Sequence, residues 1–575
     1  MTTAAAATEH PKESIKETLI SIIIAFVLAF VFRGFVIEAF VIPTGSMAPT
    51  LMGQHMRFTG PRTGYQWAVG PWYFPNPADT QNPAPIQGKP NPSIVVHDPM
   101  TGDRLVEDAV RTRSGDRILV LKYLYAVREP QRFDVVVFKN PENPADNYIK
   151  RLIGLAGEQI ALVDGDVFYR RPDAGEAAPS PDPVQAAALW ARTDWRIARK
   201  TPDAARALWL CIFDSAFTPT ASAGAEFERA FVAPWVGETP AAPSLASRDW
   251  QIAGRRSYAF RGNAGGVLRW NSSGTFFADS APAFPRSNWP IAQSWSIDDR
   301  YPYDEAQTTQ FRPNFPVSDL RLRAGFEPAS SQSVDVTGII KARGQEFRAR
   351  ITQGQAFLEM RAAAPAAGAD DGPWQPLAQG PAAIAPGRIT DVEFWHLDQS
   401  LQLWVDGRLI ARGEYNWSPA ERIAAATGKP LVRLVDPNDS TLRNGIGLTL
   451  PSNYRAPSVE WRVSAPVTMH RVALDRDLHY RPDSRGSVPA WATNPATTMT
   501  LSPNEFFVCG DNSPQSKDGR LWSEPEAWVS ALIDDTPGVV PRRLMLGKAF
   551  FVYFPALAGS NPIPVPDFGR LRFIR

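Results

Sequence analysis

The sequence predicts a mainly β chain with an N-terminal transmembrane helix and a large β-sandwich, and three observations carry that expectation. Leu19 to Phe32 is an apolar run whose single polar residue is Ser21. From Phe35 onward the run gives way to short β-rich pieces at 35–42, 116–121, 134–138 and 148–153. Residues 251 to 480 read as many short strands separated by Gly, Pro and Asn, the spacing of a sandwich rather than a helical bundle.

The apolar run is short for a spanning helix, but counting from Ile15 and letting Arg33 reach the interface supplies the roughly 20 residues required. A cleaved secretory signal is the rival reading. It needs a small-residue cleavage site, and Arg33-Gly-Phe-Val-Ile-Glu-Ala-Phe lacks one. An uncleaved, single-pass anchor at 15–36 is therefore expected; Lys12 and Lys16 before it and Arg33 after it leave its orientation undetermined by charge. The remaining divisions are a tail at 1–14, a β-rich part at 37–165 with a Pro/Gly-rich loop excursion at 52–112, a linker and helical stretch at 166–250, the sandwich at 251–480, and a second β-rich part at 481–575. Within the sandwich, Leu401, Leu403 and Val405 alternate onto one face and Asp406-Gly407 supplies a hairpin turn.

Composition excludes several classes. The 54 prolines among 575 residues favour loops and short strands. With 60 basic and 59 acidic residues the net charge is +1, so the field that a nucleic-acid binder uses is missing and no nucleic-acid partner is expected. Two cysteines, Cys211 and Cys509, cannot build a disulfide framework or a Cys-rich zinc site, and whether they pair stays open. The six histidines, His10, His55, His97, His396, His470 and His479, form no HExxH or other paired metal spacing. Without histidine chemistry, a serine needs another base. A desolvated, neutral lysine is one. Val41-Ile-Pro-Thr-Gly-Ser46-Met-Ala-Pro-Thr-Leu presents Ser46 on a Gly-containing turn just past the anchor, and Asp146-Asn-Tyr-Ile-Lys150-Arg-Leu-Ile places Lys150 in an otherwise apolar strand.

These segments, taken in order, resemble the type I signal peptidases, the leader peptidase family of membrane-anchored Ser/Lys serine proteases. The family's PSGSMxPTL is matched by PTGSMAPTL. Its GDxxxV…P…GDVVVF is similar to Gly115-Asp-Arg-Ile-Leu-Val…Pro130-Gln-Arg-Phe-Asp-Val-Val-Val-Phe, and its YIKRxxGLPGD to Tyr148-Ile-Lys-Arg-Leu-Ile-Gly-Leu-Ala-Gly-Glu. The family's GDNRxxSxDSRxWG is matched in part by Gly510-Asp-Asn-Ser-Pro-Gln-Ser-Lys-Asp-Gly-Arg-Leu-Trp. The resemblance covers about residues 15–165 and 500–575 and implies a β-rich peptidase core split by the insertion. It implies Ser46 as nucleophile, Lys150 as general base, the Ser46 N–H and the Thr44 hydroxyl as oxyanion donors, and Ser516 as the residue orienting the base. Arg151, Asp511, Asn512, Asp518 and Arg520 fall on bracing positions, with Gly510 in the same turn. Tyr148 and Leu152, on Lys150's face of the strand, are expected to exclude water from it.

The same resemblance implies exported preproteins and the lipid bilayer as partners, no cofactor, and a cytoplasmic (inner) membrane location with the core on the outer or periplasmic side. Gly60-Pro-Arg-Thr-Gly64 has the outline of a zinc-knuckle turn lacking both cysteines, so no metal is expected. Ser513, Pro514, Gln515 and Gly519 depart from the family's last motif, and Thr44 stands where serine is commoner. Those departures sustain the alternative of a membrane-tethered binding protein with a vestigial core; a related Ser/Lys protease that cuts itself or one partner is a second. The run EFWHLDQSLQLWVDGRLI resembles laminin G and concanavalin A-like jelly rolls, a fold that also serves as an inert spacer, so carbohydrate binding does not follow from it. Because Ser46, Lys150 and Ser516 lie outside 251–480, a short linker in place of that span is expected to leave cleavage within about tenfold.

Overall fold

Ile15–Phe35 form one α-helix of 21 residues, with Glu17 in its first turn and Arg33 in its last, each complementing the helix dipole. Its length of about 30 Å matches a bilayer's hydrocarbon core. The window Lys16–Phe35 has a mean hydropathy of 2.4 and buries nothing against the rest of the chain. By length and composition this helix can cross a membrane. The structure, a computed structural model, describes residues 15–574 except 71, 74–83, 86–93, 108–109, 111, 220–229, 240–246, 254–255, 278–293, 308–312, 330–332, 365–370, 439–446, 483–489, 555–556, 559–564 and 567. The expected tail at 1–14 and most of the Pro/Gly-rich stretch at 70–92 lie outside the described residues.

Behind the helix, an antiparallel sheet interleaves strands from both ends of the chain. Its order is Ile37–Val41, Arg117–Leu121, Met545–Phe554, Val135–Asn140, Asn143–Gly154, Glu505–Cys509 and Val540–Pro541, with Arg572–Phe573 also pairing Met545–Phe554. Val-rich segments suit the centre of such a sheet because branched side chains pack on both faces of the pleat. Val135 and Val137 join Ile42, Met47, Leu51, Ile118 and Val120 in one core, while Val136 and Phe138 join Leu152, Val508 and Trp522 in another. A smaller sheet orders Arg196–Ile197, Asp166–Arg170, Gln159–Val163 and Met499–Thr500. The chain leaves and re-enters this region at adjacent points: Gly165 and Tyr480 form a β-bridge, with Tyr480 N–H donating to Gly165 O at 3.0 Å.

Between these points stands a two-sheet sandwich. One sheet orders Trp250–Ala253, Ser257–Phe260, Val467–Arg476, Leu320–Pro328, Thr390–Leu397, Ser400–Val405 and Arg408–Glu414, with Leu210–Asp214 also paired to Val467–Arg476. The other orders Trp235–Glu238, Gly266–Trp270, Ser458–Val463, Val336–Ala342, Gln345–Thr352, Gln355–Ala362 and Gln375–Pro381. Trp235, Trp270, Trp295, Phe326, Phe394, Leu401, Leu403 and Trp461 fill the space between them. The expected hairpin forms across Val405↔Arg408, with Asp406 (φ 48) and Gly407 (φ 76) both left-handed, as a two-residue turn of this type requires.

The structure departs from the sequence reading at one boundary and in the content of two spans. The sandwich begins at Leu210 rather than 251: Leu210–Asp214 and Trp235–Glu238 lie in the stretch read as linker and helices. There the helices are short, Pro183–Trp190 and Pro202–Leu208, each capped at its start by Asp182 or Thr201. At Trp209 the backbone turns extended (φ −62, ψ 128), so the apolar run that looks like more helix becomes a strand. Within 251–480 the chain is not all β. Pro419–Thr427 is a helix opened by a Ser418/Glu421 capping box and closed by left-handed Gly428, and Leu431–Val435 follows it. Ile423, Ala426, Leu434 and Val435 pack on Ala161, Phe168 and Trp190 of the smaller sheet's layer. Among the described residues, the excursion at 52–112 pairs Met56–Thr59 with Gln66–Val69, Trp72–Tyr73 with Ala84–Pro85, and Ile94–His97 with Arg104–Glu107, and Met56, Phe58, Trp67, Val69, Val96 and Leu105 form a core there.

Candidate active site

The strand Ile37–Val41 ends where Ile42 N–H bonds Asp116 O at 2.9 Å, and Pro43 cannot extend the ladder. Thr44 is extended (φ −119, ψ 161), Gly45–Met47 form one tight turn, and Ala48 N–H closes it on Gly45 O at 3.0 Å. Met47 and Leu51 are fully buried, so their side chains pin the turn to the sheet and leave Ser46 half-buried at its crest. Gly45 is required by close approach rather than by its backbone angles: a Cβ there would lie 2.1 Å from the Tyr303 ring.

Lys150 lies mid-strand opposite Val136, 4% exposed, with its Nζ 2.7 Å from Ser46 Oγ. The structure thus brings together two residues separated by 104 positions. Tyr148 and Leu152 flank Lys150 on the same face; the Tyr148 ring centroid lies 5.3 Å from Nζ and Leu152 is fully buried. Burial lowers the lysine's pKa to about 8, against the pull of the Asp518 and Asp511 carboxylates. Arg151 points to the opposite face. Its Nε and Nη2 reach the two Asp511 oxygens at 2.7 and 2.6 Å, its Nη1 reaches Phe133 O at 2.8 Å, and Thr50 donates to Asp511 at 2.5 Å. This fully buried bidentate pair ties the lysine strand to the turn after Glu505–Cys509.

That turn faces the nucleophile. Asn512 N–H donates to Ser46 O at 3.0 Å, and its Nδ2 donates to Gly45 O at 3.3 Å. Asp518 accepts from Gly510 N–H at 2.9 Å and from Arg520 Nε and Nη2, both at 2.9 Å. Against burial, which would raise it, the Arg520 guanidinium holds the Asp518 carboxyl below its usual range. Ser516 is fully buried beside Gly510 and interacts with the Asp518 carboxylate. Its hydroxyl makes no hydrogen bond of ordinary geometry to Lys150, so a direct orienting contact on the base is absent here. Thr44 is exposed, and its hydroxyl does not cap the turn.

Several residues at the site carried no motif. Ser513, noted only as a departure, accepts from Arg520 Nη1 at 2.6 Å and from Arg481 N–H at 2.9 Å. Asp304 accepts from Asn512 Nδ2 at 2.8 Å, and Tyr303 donates its hydroxyl to Gln54 O at 2.8 Å. Burial pushes the Asp304 carboxyl up to about 7, opposed by the Asn512 bond and by Arg481. Tyr303 and Asp304 belong to the insertion. The span 251–480 therefore does not stand apart from the site: a linker in its place removes two residues that touch the nucleophile's surroundings, and it also strands Leu210–Asp214 without its partner Val467–Arg476.

Elsewhere among the described residues, one oxygen each from the buried Asp166, Asp319, Asp398 and Asp477 falls within 4.8 Å of the others. The protein supplies its own positive charge there. Lys200 Nζ is 2.6 Å from Asp398 and 2.7 Å from Asp477, Arg343 is 2.5 Å from Asp319, and Arg422 pairs Asp166. Cys211 and Cys509 are both free thiols.

Residues 15–106, 109–181 and 466–554 match the family described as signal peptidase, peptidase S26. Signal peptidase I of Rickettsia typhi (strain ATCC VR-144 / Wilmington) is 29% identical over 157 residues, 27% of this chain and 44% of that protein. Signal peptidase I of Rickettsia bellii (strain OSU 85-389) is 30% identical over 139 residues, 24% of this chain and 34% of that protein. The chain thus spans less than half the length of these relatives. Among solved structures, the carbohydrate binding module CBM66 from Bacillus subtilis is 7% identical and covers 42% of this chain and 95% of its own, with a TM-score of 0.20. The laminarinase from Rhodothermus marinus is 8% identical and covers 47% and 98%, with a TM-score of 0.23. Likeness of that degree says nothing about what the sandwich binds.

Proposed function

We propose, from the similarity of residues 15–106, 109–181 and 466–554 to the family described as signal peptidase, peptidase S26, that the protein is a membrane-bound serine endopeptidase that removes N-terminal signal peptides from exported preproteins. The observation that carries this reading is the 2.7 Å contact between buried Lys150 Nζ and Ser46 Oγ. Neutral Lys150 accepts the Ser46 proton as Oγ attacks the scissile carbonyl, and the Ser46 N–H and Thr44 hydroxyl stabilise the oxyanion. The protonated lysine then gives its proton to the leaving amine. A water deprotonated by the same lysine hydrolyses the acyl-enzyme and frees the mature protein. Substrate docks as an extended strand beside the sheet. In this reading Ile15–Phe35 sits in the cytoplasmic membrane, with the core on the side where preproteins emerge.

The test is cleavage of a preprotein by the detergent-solubilised chain as a function of pH. The base must be neutral, and its pKa lies near 8. The expected kcat/KM therefore rises about tenfold per pH unit from pH 6, levelling above about pH 8. No cleavage at the signal junction at any pH would reject the activity, and a flat profile from pH 6 to 9 would reject Lys150 as the base.

A further inference from the structure

The insertion reaches the nucleophile through a short segment, Pro302–Gln307, and the contacts it makes there converge on one peptide group. Gly45 C=O and Ser46 N–H belong to the same planar trans peptide and point in opposite directions, so whatever holds the carbonyl aims the N–H. Asn512 holds the carbonyl with Nδ2 at 3.3 Å while its own N–H holds Ser46 O at 3.0 Å. The Asn512 amide is oriented in turn by Asp304, whose Oδ1 accepts from Nδ2 at 2.8 Å. Because Nδ2 faces two acceptors, Gly45 O and Asp304 Oδ1, the amide cannot rotate by half a turn without placing its carbonyl oxygen against both. The Tyr303 ring closes the other side of Gly45, its hydroxyl tied to Gln54 O.

The chain just before this segment is tied to the turn that carries Asn512. Asp299 pairs with Arg481 through Nη2 at 2.8 Å and through Nε, and Arg481 N–H reaches Ser513 next to Asn512. Asp304 is 7% and Asn512 2% exposed, so the bond between them is kept from water and its loss cannot be made good by solvent.

Resting on the enzymatic reading above, we propose that Asp304 is a positioning residue for the reaction: acting through Asn512, it orients the Gly45–Ser46 peptide so that the Ser46 N–H faces the developing oxyanion. The insertion thereby completes the catalytic centre rather than decorating it. Mispositioning one oxyanion donor acts in the transition state more than in substrate binding, so the loss falls on kcat.

The experiment compares kcat and KM for preprotein cleavage by the full chain and by Asp304→Leu, Asp304→Asn, Asn512→Ala and the Asp304→Leu/Asn512→Ala double variant, with thermal unfolding of each. Asp304→Leu keeps the branched shape, with bulkier methyl groups in place of the oxygens, and removes the acceptor; kcat is expected to fall on the order of 10- to 100-fold with KM changed by less than about threefold. Asp304→Asn retains an acceptor oxygen and is expected to recover most of that loss. The double variant is expected to be no slower than Asn512→Ala alone. Wild-type kcat in Asp304→Leu, equal losses in the Asn and Leu variants, or multiplying losses in the double variant would overturn the proposal while leaving the peptidase reading intact. If Asp304→Leu does not fold, Asp304→Asn decides: a kcat as low as that of Asn512→Ala overturns the proposal. A wild-type chain that cleaves no preprotein overturns the peptidase reading, and this inference with it.

Discussion

Ser46→Ala and Lys150→Met are each expected to abolish preprotein cleavage, lowering kcat by about 10⁴-fold or more, because nucleophile and base act as one unit. Lys150→Arg is expected to fail equally: a guanidinium fills the place but cannot give up its proton near neutral pH. The lysine variant carries a second, opposite expectation. Burial brings the Lys150 pKa from an ordinary 10.5 to about 8, so the fold disfavours the charged amine by about 3 kcal/mol. At pH 6 the amine is charged in both the folded and unfolded chain, and the full penalty opposes folding. Between pH 8 and 10.5 the folded chain has shed the proton while the unfolded chain still holds it, so the penalty fades and is gone above that window. Lys150→Met, inactive, should therefore be more stable than the wild type at pH 6, by up to about 3 kcal/mol, and lose that advantage toward pH 10.5. Denaturant titration at the two pH values measures it. Equal or lower stability of the variant at pH 6 would show that the amine is better solvated than its 4% exposure implies.

Asp511→Ala is expected to cost about 3–5 kcal/mol of stability, the largest single loss at the site, since it leaves the Arg151 guanidinium charged, fully buried and without its counter-ion. Thr50 loses its acceptor in the same step. The pair also joins the lysine strand to the turn carrying Asn512, so activity in the surviving folded fraction should fall as well. Replacing both partners, Arg151→Met with Asp511→Leu, is expected to recover much of the stability without the activity, because the desolvated charge goes with its partner. A loss under about 1 kcal/mol in Asp511→Ala, measured by chemical denaturation, would contradict the burial argument.

What the sequence by itself determined was local. The apolar run around Leu19–Phe32 commits the chain to a membrane-length helix because composition and length suffice. Alternation at Leu401, Leu403 and Val405 followed by Asp406-Gly407 commits a hairpin because side-chain period and turn chemistry both reside in neighbouring residues. The Ser46 and Lys150 segments stood out as a turn after an anchor and a lysine in an apolar strand, and their resemblance to a known family paired them. What only the tertiary structure decided was partnership. Met545–Phe554 inserts between Arg117–Leu121 and Val135–Asn140, and Leu210–Asp214 leaves an apparent helix to pair with Val467–Arg476. A strand's period says which face is buried but not which distant strand covers its edge. Asp304 is the sharpest case. In Tyr-Pro-Tyr-Asp-Glu it looks like an ordinary loop acid, and its consequence depends on burial and on a 2.8 Å approach to Asn512, 208 residues away, which no local pattern encodes.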